Sequence, residues 1–280
     1  MKREEVTDAV QRGIHELGEA LAAGKSDRLL AYLAMMARFP KYSFQNCVLI
    51  WTQFPEAKLV QGFQAWKKLG RSVKKGEKGI GIIAPMVYRA KGVSKDDELT
   101  NVKVVRGFKV VHVFDVSQTE GEDLPEFATV GGEPGSHIDA VEQLIRSRDI
   151  ELLYEPILGG ADGVSKKGTI VIANDLPPAK RLLTLIHELS HETLHINQKR
   201  REETTKTIRE TEAEAVAFVV SSALGIDCLD HSVDYIQLYN GDLDVLSQSM
   251  EHIQTTAAEI LEGIRRFATC EHNEMQEVTS

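Results

Sequence analysis

The chain has 280 residues, 42% of them hydrophobic and 27% charged, and a formal net charge of −9. That balance excludes a disordered or low-complexity chain, and no uninterrupted apolar run, the longest being Leu29 to Ala37, is long enough to span a bilayer. Met1–Lys2–Arg3–Glu4–Glu5 leads into no hydrophobic signal region, and the three cysteines, Cys47, Cys228 and Cys270, are too scattered for a disulfide framework or a Cys-based zinc site, so a reduced, cytoplasmic protein without a membrane partner is expected.

The length favours two domains over one, and the charge is divided accordingly. Residues 58–109 hold 13 Lys or Arg against four acids, whereas residues 111–280 hold 13 against 31. Such asymmetry points to two units with different partners.

In chain order, Val6, Val10, Ile14, Leu17 and Leu21 recur at helical spacing, with Gly24 where the helix should stop. Ser26 can cap a second helix through Leu29, Leu33 and Met36, ended by Pro40. Ser43 can cap a third through Phe44, Val48 and Phe54, ended by Pro55. A short helix is expected around Phe63–Leu69. Turn glycines at Gly76 and Gly79 then precede strands from Ile80 and across Lys103 to Val116. Ser117–Ser136, with four glycines, two prolines and five acids, reads as a linker. Beyond it a helix is expected from His137 to Arg148, strands at Leu152–Tyr154 and Thr169–Ala173, and a turn at Ser165–Gly168. A long helix is expected to start at Pro177–Pro178 and run through Leu194, followed by another from Thr207 to Leu224 and further helices around Val233–Tyr239 and Leu243–Phe267. The expected fold class is α+β. A helical plus β-sheet domain over 1–116, a linker over 117–136 and a mostly helical domain with a small sheet over 137–280 make up the chain.

The long helix carries His187–Glu188–Leu189–Ser190–His191. Residues four apart share a helix face, which lets two imidazoles reach one zinc ion at about 2.0–2.1 Å, while Glu188, rotated by about 100°, can act as general base on water. His195 lies about 12 Å along the axis from His187, too far to join the same ion. It either orients a ligand or sits as a polar residue at the helix end. The third ligand must come from another element, and the helix Arg209–Phe218 is the best source. Glu212 lies away from its apolar stripe and is expected to be solvated. Glu210 and Glu214 share a face, and Glu214, deeper in the stripe, is preferred because a buried carboxylate needs a strong partner. His231, Tyr235 and Tyr239 are candidates for stabilising an oxyanion.

Pro177 to His195, followed by Glu214-x-x-Ala217-Phe218, resembles the ImmA/IrrE group of zinc metallopeptidases, which implies His187, His191 and Glu214 as zinc ligands with Glu188 as the base. Ser43–Asn46, Gly62–Gly70, Val73–Gly79 and Val113–Val116 are similar to the N-terminal domain of ArdC-type antirestriction proteins. That resemblance implies a single-stranded DNA-binding domain joined to a metallopeptidase-like domain, on bacterial mobile elements.

Independently of family, residues 32–114 hold 11 of the 17 aromatics and overlap the basic stretch. Single-stranded nucleic acid binders need cations for phosphates and flat side chains for bases. Lys67, Lys68, Arg71, Lys74, Lys75 and Lys78 form the expected phosphate track, and the exposed members of Phe63, Trp66 and Tyr88 the stacking set. The expected function is a DNA-associated, gluzincin-like zinc metallopeptidase of antirestriction type acting on a protein substrate. The alternative is a non-enzymatic single-stranded DNA-binding protein with a structural zinc. A DNA-mimicking acidic inhibitor is disfavoured because the acids are spread along helices.

Overall fold

The computed structural model describes residues 3–24, 26–89, 103–124, 134–156, 160–196, 198–226 and 242–277. Its elements are α1 (Arg3–Ala22), α2 (Ser26–Arg38), α3 (Phe44–Gln53), β1 (Val60–Gly62), α4 (Phe63–Lys68), β2 (Arg71–Val73), β3 (Ile80–Arg89), β4 (Lys103–Asp115) and β5 (Thr119–Gly121). They continue with α5 (Pro134–Ser147), β6 (Glu151–Glu155), β7 (Gly163–Ser165), β8 (Thr169–Ala173), α6 (Pro178–Leu194), α7 (Gln198–Glu203), α8 (Lys206–Ala223) and α9 (Leu243–Glu277). The α+β class is observed, and the chain forms two compact units, Met1–Ile14 with Gln45–Pro125 and His15–Phe44 with Glu126–Ser280. The expected helix at Val233–Tyr239 lies outside the described residues.

In the first unit, β1, β4 and β3 form an antiparallel sheet with β4 in the middle. One edge of β3 needs partners for its backbone groups. Two amides of α3 supply them: Asn46 brackets the N–H and C=O of Ile83, and Gln53 those of Gly81, all at 2.9 Å. Trp66 is fully buried beneath the sheet and donates its indole N–H to the Phe114 carbonyl. Part of the segment expected to be linker is structured. Thr119–Gly121 pairs antiparallel with Arg71–Val73, a match of two three-residue strands too short to show a period.

Asp115 ties this unit together. Its Oδ1 accepts from the backbone N–H groups of Lys58 (2.7 Å) and Leu59 (3.0 Å), and its Oδ2 from the N–H (2.9 Å) and hydroxyl (2.7 Å) of Ser117. Burial alone would push this carboxyl up, but the donors of Ser117, Leu59 and Lys58 outweigh it and hold the group below its ordinary value.

In the second unit α2, α5, α6, α8 and α9 pack on one another, and α5 and α6 also contact a three-stranded sheet in which β8 is parallel to β6 and antiparallel to β7. Segment 15–44, which a single cut at the linker would give to the N-terminal domain, groups here because the apolar face of α2 (Leu29, Leu33, Met36) is buried and α2 lies on α8. Gln254 of α9 donates to the carbonyls of Phe39 (3.1 Å) and Tyr42 (2.9 Å) just beyond α2. The sequence of α6 dictates its placement: Leu182, Leu185, Ile186 and Leu189 bury at helical spacing, which turns His187 and His191 to the margin of that core.

Asp115→Ala removes an acceptor from four donors and should destabilise the first unit by about 3 kcal/mol. Because the folded carboxyl titrates below its unfolded value of about 3.9, the stabilisation is present above that pH and lost as pH falls through the folded value. Urea unfolding of wild type and Asp115→Ala, at neutral pH and again near pH 3, checks both parts: the gap between the two proteins narrows in acid.

Candidate metal centre

The i, i+4 spacing on α6 brings His187 Nε2 and His191 Nε2 to 3.1 Å from each other. From α8, Glu210 Oε2 approaches to 3.3 Å from His191 Nε2 and 3.7 Å from His187 Nε2. Ligand atoms held tetrahedrally at about 2.0–2.1 Å from zinc are separated by about 3.4 Å, so these three edges fit one ion. His187, His191 and Glu210 form the one such group of three or more ligand-type side chains among the described residues.

The carboxylate facing the paired Nε2 atoms is thus that of Glu210, in place of the Glu214 expected from burial. Glu214 Oε2 instead meets the opposite nitrogen of His187, Nδ1, at 3.1 Å. A carboxylate there fixes the tautomer and ring orientation of a metal-binding histidine. His191 is held in the same manner from its own Nδ1, which lies 3.2 Å from Nδ1 of His195. His195 passes the interaction to Glu212 through Nε2 at 2.9 Å, and Glu212 accepts from Arg200, which also reaches Ser249. His195 therefore has the orienting place. Glu212, expected on the surface, is 0% exposed. The expectation of one wet face failed because α8 is covered by α2, α6 and α9 on different sides.

The electrostatics suit a positive guest. Burial alone would favour the neutral ring of His187, but the carboxylates of Glu210 and Glu214 and the charge of Glu188 outweigh it and push the imidazole up to about 9. Hydrogen bonds from His187 and His191 hold Glu210 far below the usual carboxylate range. Glu188 moves the opposite way: burial raises it, against the opposing pull of His187 and His191. A raised, buried carboxyl beside an ion site is suited to taking and releasing a proton.

β7 runs directly over this base. A Cβ added to Gly163 would lie 2.6 Å from Thr184 Cγ2 and 2.9 Å from Glu188 Cγ and Oε1, so only glycine lets the strand approach so closely. Glu188 accepts the Ser165 backbone N–H. One turn on, Glu192 accepts the Ser165 hydroxyl and the Gly168 N–H. Glu192, absent from the expected site, thereby anchors the β7–β8 turn to the metal-site helix. The resulting cleft has a volume of about 770 Å³. His231, Tyr235 and Tyr239 lie outside the described residues.

In the first unit the expected DNA-binding residues divide into two groups. Lys67, Lys68, Lys75 and Lys78 are exposed, and Phe63 is 44% exposed with Lys67 Nζ 5.2 Å from its ring centroid. Trp66 belongs to the core, not to a stacking surface, since its N–H is spent on Phe114. Arg71 is turned inward onto Thr119 and Glu122, and Lys74 donates to the Ser117 carbonyl at 2.8 Å. The side chain of Tyr88 lies outside the described residues.

Residues 2–114 match the family model for the N-terminal domain of anti-restriction factor ArdC, and residues 145–238 match that for the IrrE N-terminal-like domain. An uncharacterized protein of Bacillus anthracis is 28% identical over 282 residues, covering 84% of this chain and 47% of the relative. The chain thus spans about half the length of that relative. The fold is similar to that of the antirestriction ArdC protein from the R388 plasmid. Its metal-free structure gives a TM-score of 0.54 at 19% identity, with 94% of this chain and 98% of the other covered. Its Mn(II)-bound structure gives 0.53 at 18% identity, with 92% and 97% covered.

The geometry predicts that Glu210→Ala abolishes tight binding of a divalent ion, whereas Glu214→Ala, which frees His187 to rotate, weakens it about 10–100-fold. A competition titration with a chromogenic chelator measures both. Full affinity in Glu210→Ala together with loss in Glu214→Ala would return the ligand role to Glu214.

Proposed function

We propose that this ArdC-type protein, an ArdC N-terminal domain followed by an IrrE N-terminal-like domain, is a metal-dependent peptidase of antirestriction type that engages single-stranded DNA through its N-terminal unit. The observation that carries the reading is the convergence of His187, His191 and Glu210 at tetrahedral spacing beside the buried Glu188. Two imidazoles and one carboxylate suit zinc, and the Mn(II)-bound form of the R388 protein supports a divalent ion at such a site. Three protein ligands leave a coordination position open, which suits catalysis better than structural zinc.

A bound zinc ion supplies Lewis acidity that acidifies water and polarises a carbonyl. The chain's own residues do the rest. Glu188 takes a proton from the attacking water at a carboxylate oxygen and returns it to the leaving amine. Glu214 and His195 hold the two imidazoles by their Nδ1 atoms, so that both Nε2 atoms stay directed at the ion. The β7 strand shields Glu188 from bulk water and keeps its proton affinity high.

In the first unit, exposed Lys67, Lys68, Lys75 and Lys78 are placed to meet phosphates, and the exposed ring of Phe63 to stack on a base.

Glu188→Gln should retain a stoichiometric divalent ion while peptide hydrolysis falls by at least about 100-fold. Metal analysis and a peptidase assay on the same preparation test this. Full protection against restriction in cells expressing Glu188→Gln would give the biological role to non-enzymatic DNA binding. For the first unit, Lys75→Ala with Lys78→Ala should weaken binding of an oligo-dT strand and lower the slope of log K against log salt by about 1.4, the loss of two phosphate contacts on a single strand. An unchanged slope removes these two lysines from the DNA path.

A further inference from the structure

Residues 111–280 hold only 13 basic residues against 31 acidic ones, so cations should be sparse on any surface they form. The cleft over His187 and His191 is nevertheless lined by five of them: Lys166, Lys167, Arg201, Lys206 and Arg209. They come from two separate parts of the unit. Lys166 and Lys167 come from the β7–β8 turn, and the other three from α7 and the first turn of α8. Arg209 is anchored to the Arg201 and Thr204 carbonyls (3.2 and 2.6 Å). Lys166, Lys167, Arg201 and Lys206 form no ion pair among the described residues.

The turn adds a second observation. Lys166 and Thr169 exchange both backbone hydrogen bonds (2.8 and 3.2 Å), leaving Lys167 and Gly168 as its two central residues. Lys167 has φ +34 and Gly168 φ +90. Asn, Asp or Gly relieves the first position of such a turn, whereas a long side chain there is strained. The strain is borne where it holds a cation at the mouth of the metal cleft, with the turn clamped by Glu192 through the Gly168 N–H at 2.8 Å.

We infer that the cleft selects peptide segments with acidic side chains on both sides of the bond presented to His187 and His191, with Lys166 and Lys167 receiving one side and Arg201 and Lys206 the other. This selectivity rests on the peptidase reading of the same site. A peptide fits the charge pattern better than a nucleic acid does. The cleft also carries the carboxylates of Glu188, Glu192 and Glu210, which a neutral peptide backbone can cross while its acidic side chains reach the rim. A strand with a phosphate at every nucleotide would meet those carboxylates along its length.

The test uses the full chain, zinc-loaded and carrying Glu188→Gln so that bound peptide persists. Fluorescence anisotropy is read with a Glu/Ala dodecapeptide, its Gln/Ala counterpart and an oligo-dT strand. The acidic peptide should bind about tenfold more tightly than the neutral one. That preference should shrink several-fold in Lys166→Gln/Lys167→Gln and in Arg201→Gln/Lys206→Gln, and persist in Lys75→Ala/Lys78→Ala. Lys167→Gly, which relieves the strain, should keep or raise Tm while still weakening the preference. Equal binding of the two peptides, or a preference abolished only by Lys75→Ala/Lys78→Ala, overturns the inference. Loss of oligo-dT binding in Lys166→Gln/Lys167→Gln, with peptide binding unaltered, overturns it in favour of nucleic acid. Incubation of the acidic peptide with the zinc-loaded protein bearing Glu188 separates the two readings. An intact peptide with the preference retained removes the peptidase and leaves the acidic selectivity; cleavage of both peptides at equal rates does the reverse.

Discussion

Two imidazole nitrogens and a carboxylate oxygen, each an acceptor when unprotonated, converge between α6 and α8 with separations of 3.1, 3.3 and 3.7 Å. Such an arrangement is stable only with positive charge among the three groups, either a proton or a metal ion. The remaining architecture of this unit serves that convergence. Ala213, Ala215 and Ala217 are buried in α8, and small residues let a helix approach its neighbours closely. The rear nitrogen of each histidine is occupied, His187 by Glu214 and His191 by the chain His195–Glu212–Arg200. A buried chain of charges stabilises little by itself, but once each member has its partner it restricts the site to one arrangement.

The parts of the site that follow from a single helical period were legible in the sequence: His187, His191 and Glu188 are fixed by their spacing on α6 whatever surrounds it. Glu210 and Glu214 were harder because they lie one turn apart on the same face of α8. Burial ranks which carboxylate is deeper, whereas ligation depends on which turn is level with the Nε2 pair, and only packing decides that. Glu212 was misread for a related reason. Amphipathic logic assumes one wet face, and α8 has neighbours on several sides. Among the strands, β3 and β4 are long and rich in β-branched residues, while β1, β2, β5 and β7 have three residues each, too few to display alternation. Trp66 shows the same limit within the six-residue α4: composition put an aromatic in a basic stretch, but the partner of its indole N–H, the Phe114 carbonyl, comes from 48 residues away.

β7 links the fold of this unit to its chemistry. It is an edge strand, and Gly163 lets it lie against α6 at the level of the base. Two glutamates one helical turn apart, Glu188 and Glu192, hold it through Ser165 and Gly168. Whatever moves that hairpin therefore moves the surroundings of Glu188. Because burial is the leading cause of the raised Glu188 carboxyl, the proton affinity of the base depends on the position of a strand too short to be seen in the sequence.

Charge is partitioned in the same way at every scale of the molecule. Net charge describes neither stretch: the basic residues 58–109 offset half of the acidic excess of residues 111–280, and the total of −9 hides both. Within the basic stretch, Arg71 and Lys74 are committed to the β2–β5 region, so the cations available to a partner are fewer than the composition suggests. Within the acidic stretch the reverse holds, because carboxylates lining the cleft are already engaged: Glu210 by the two histidines and Glu192 by the turn. Carboxylates with their own donors draw little on the cations of the rim. A protein that is acidic on average can thus hold, around one cleft, cations whose charge is left for a partner.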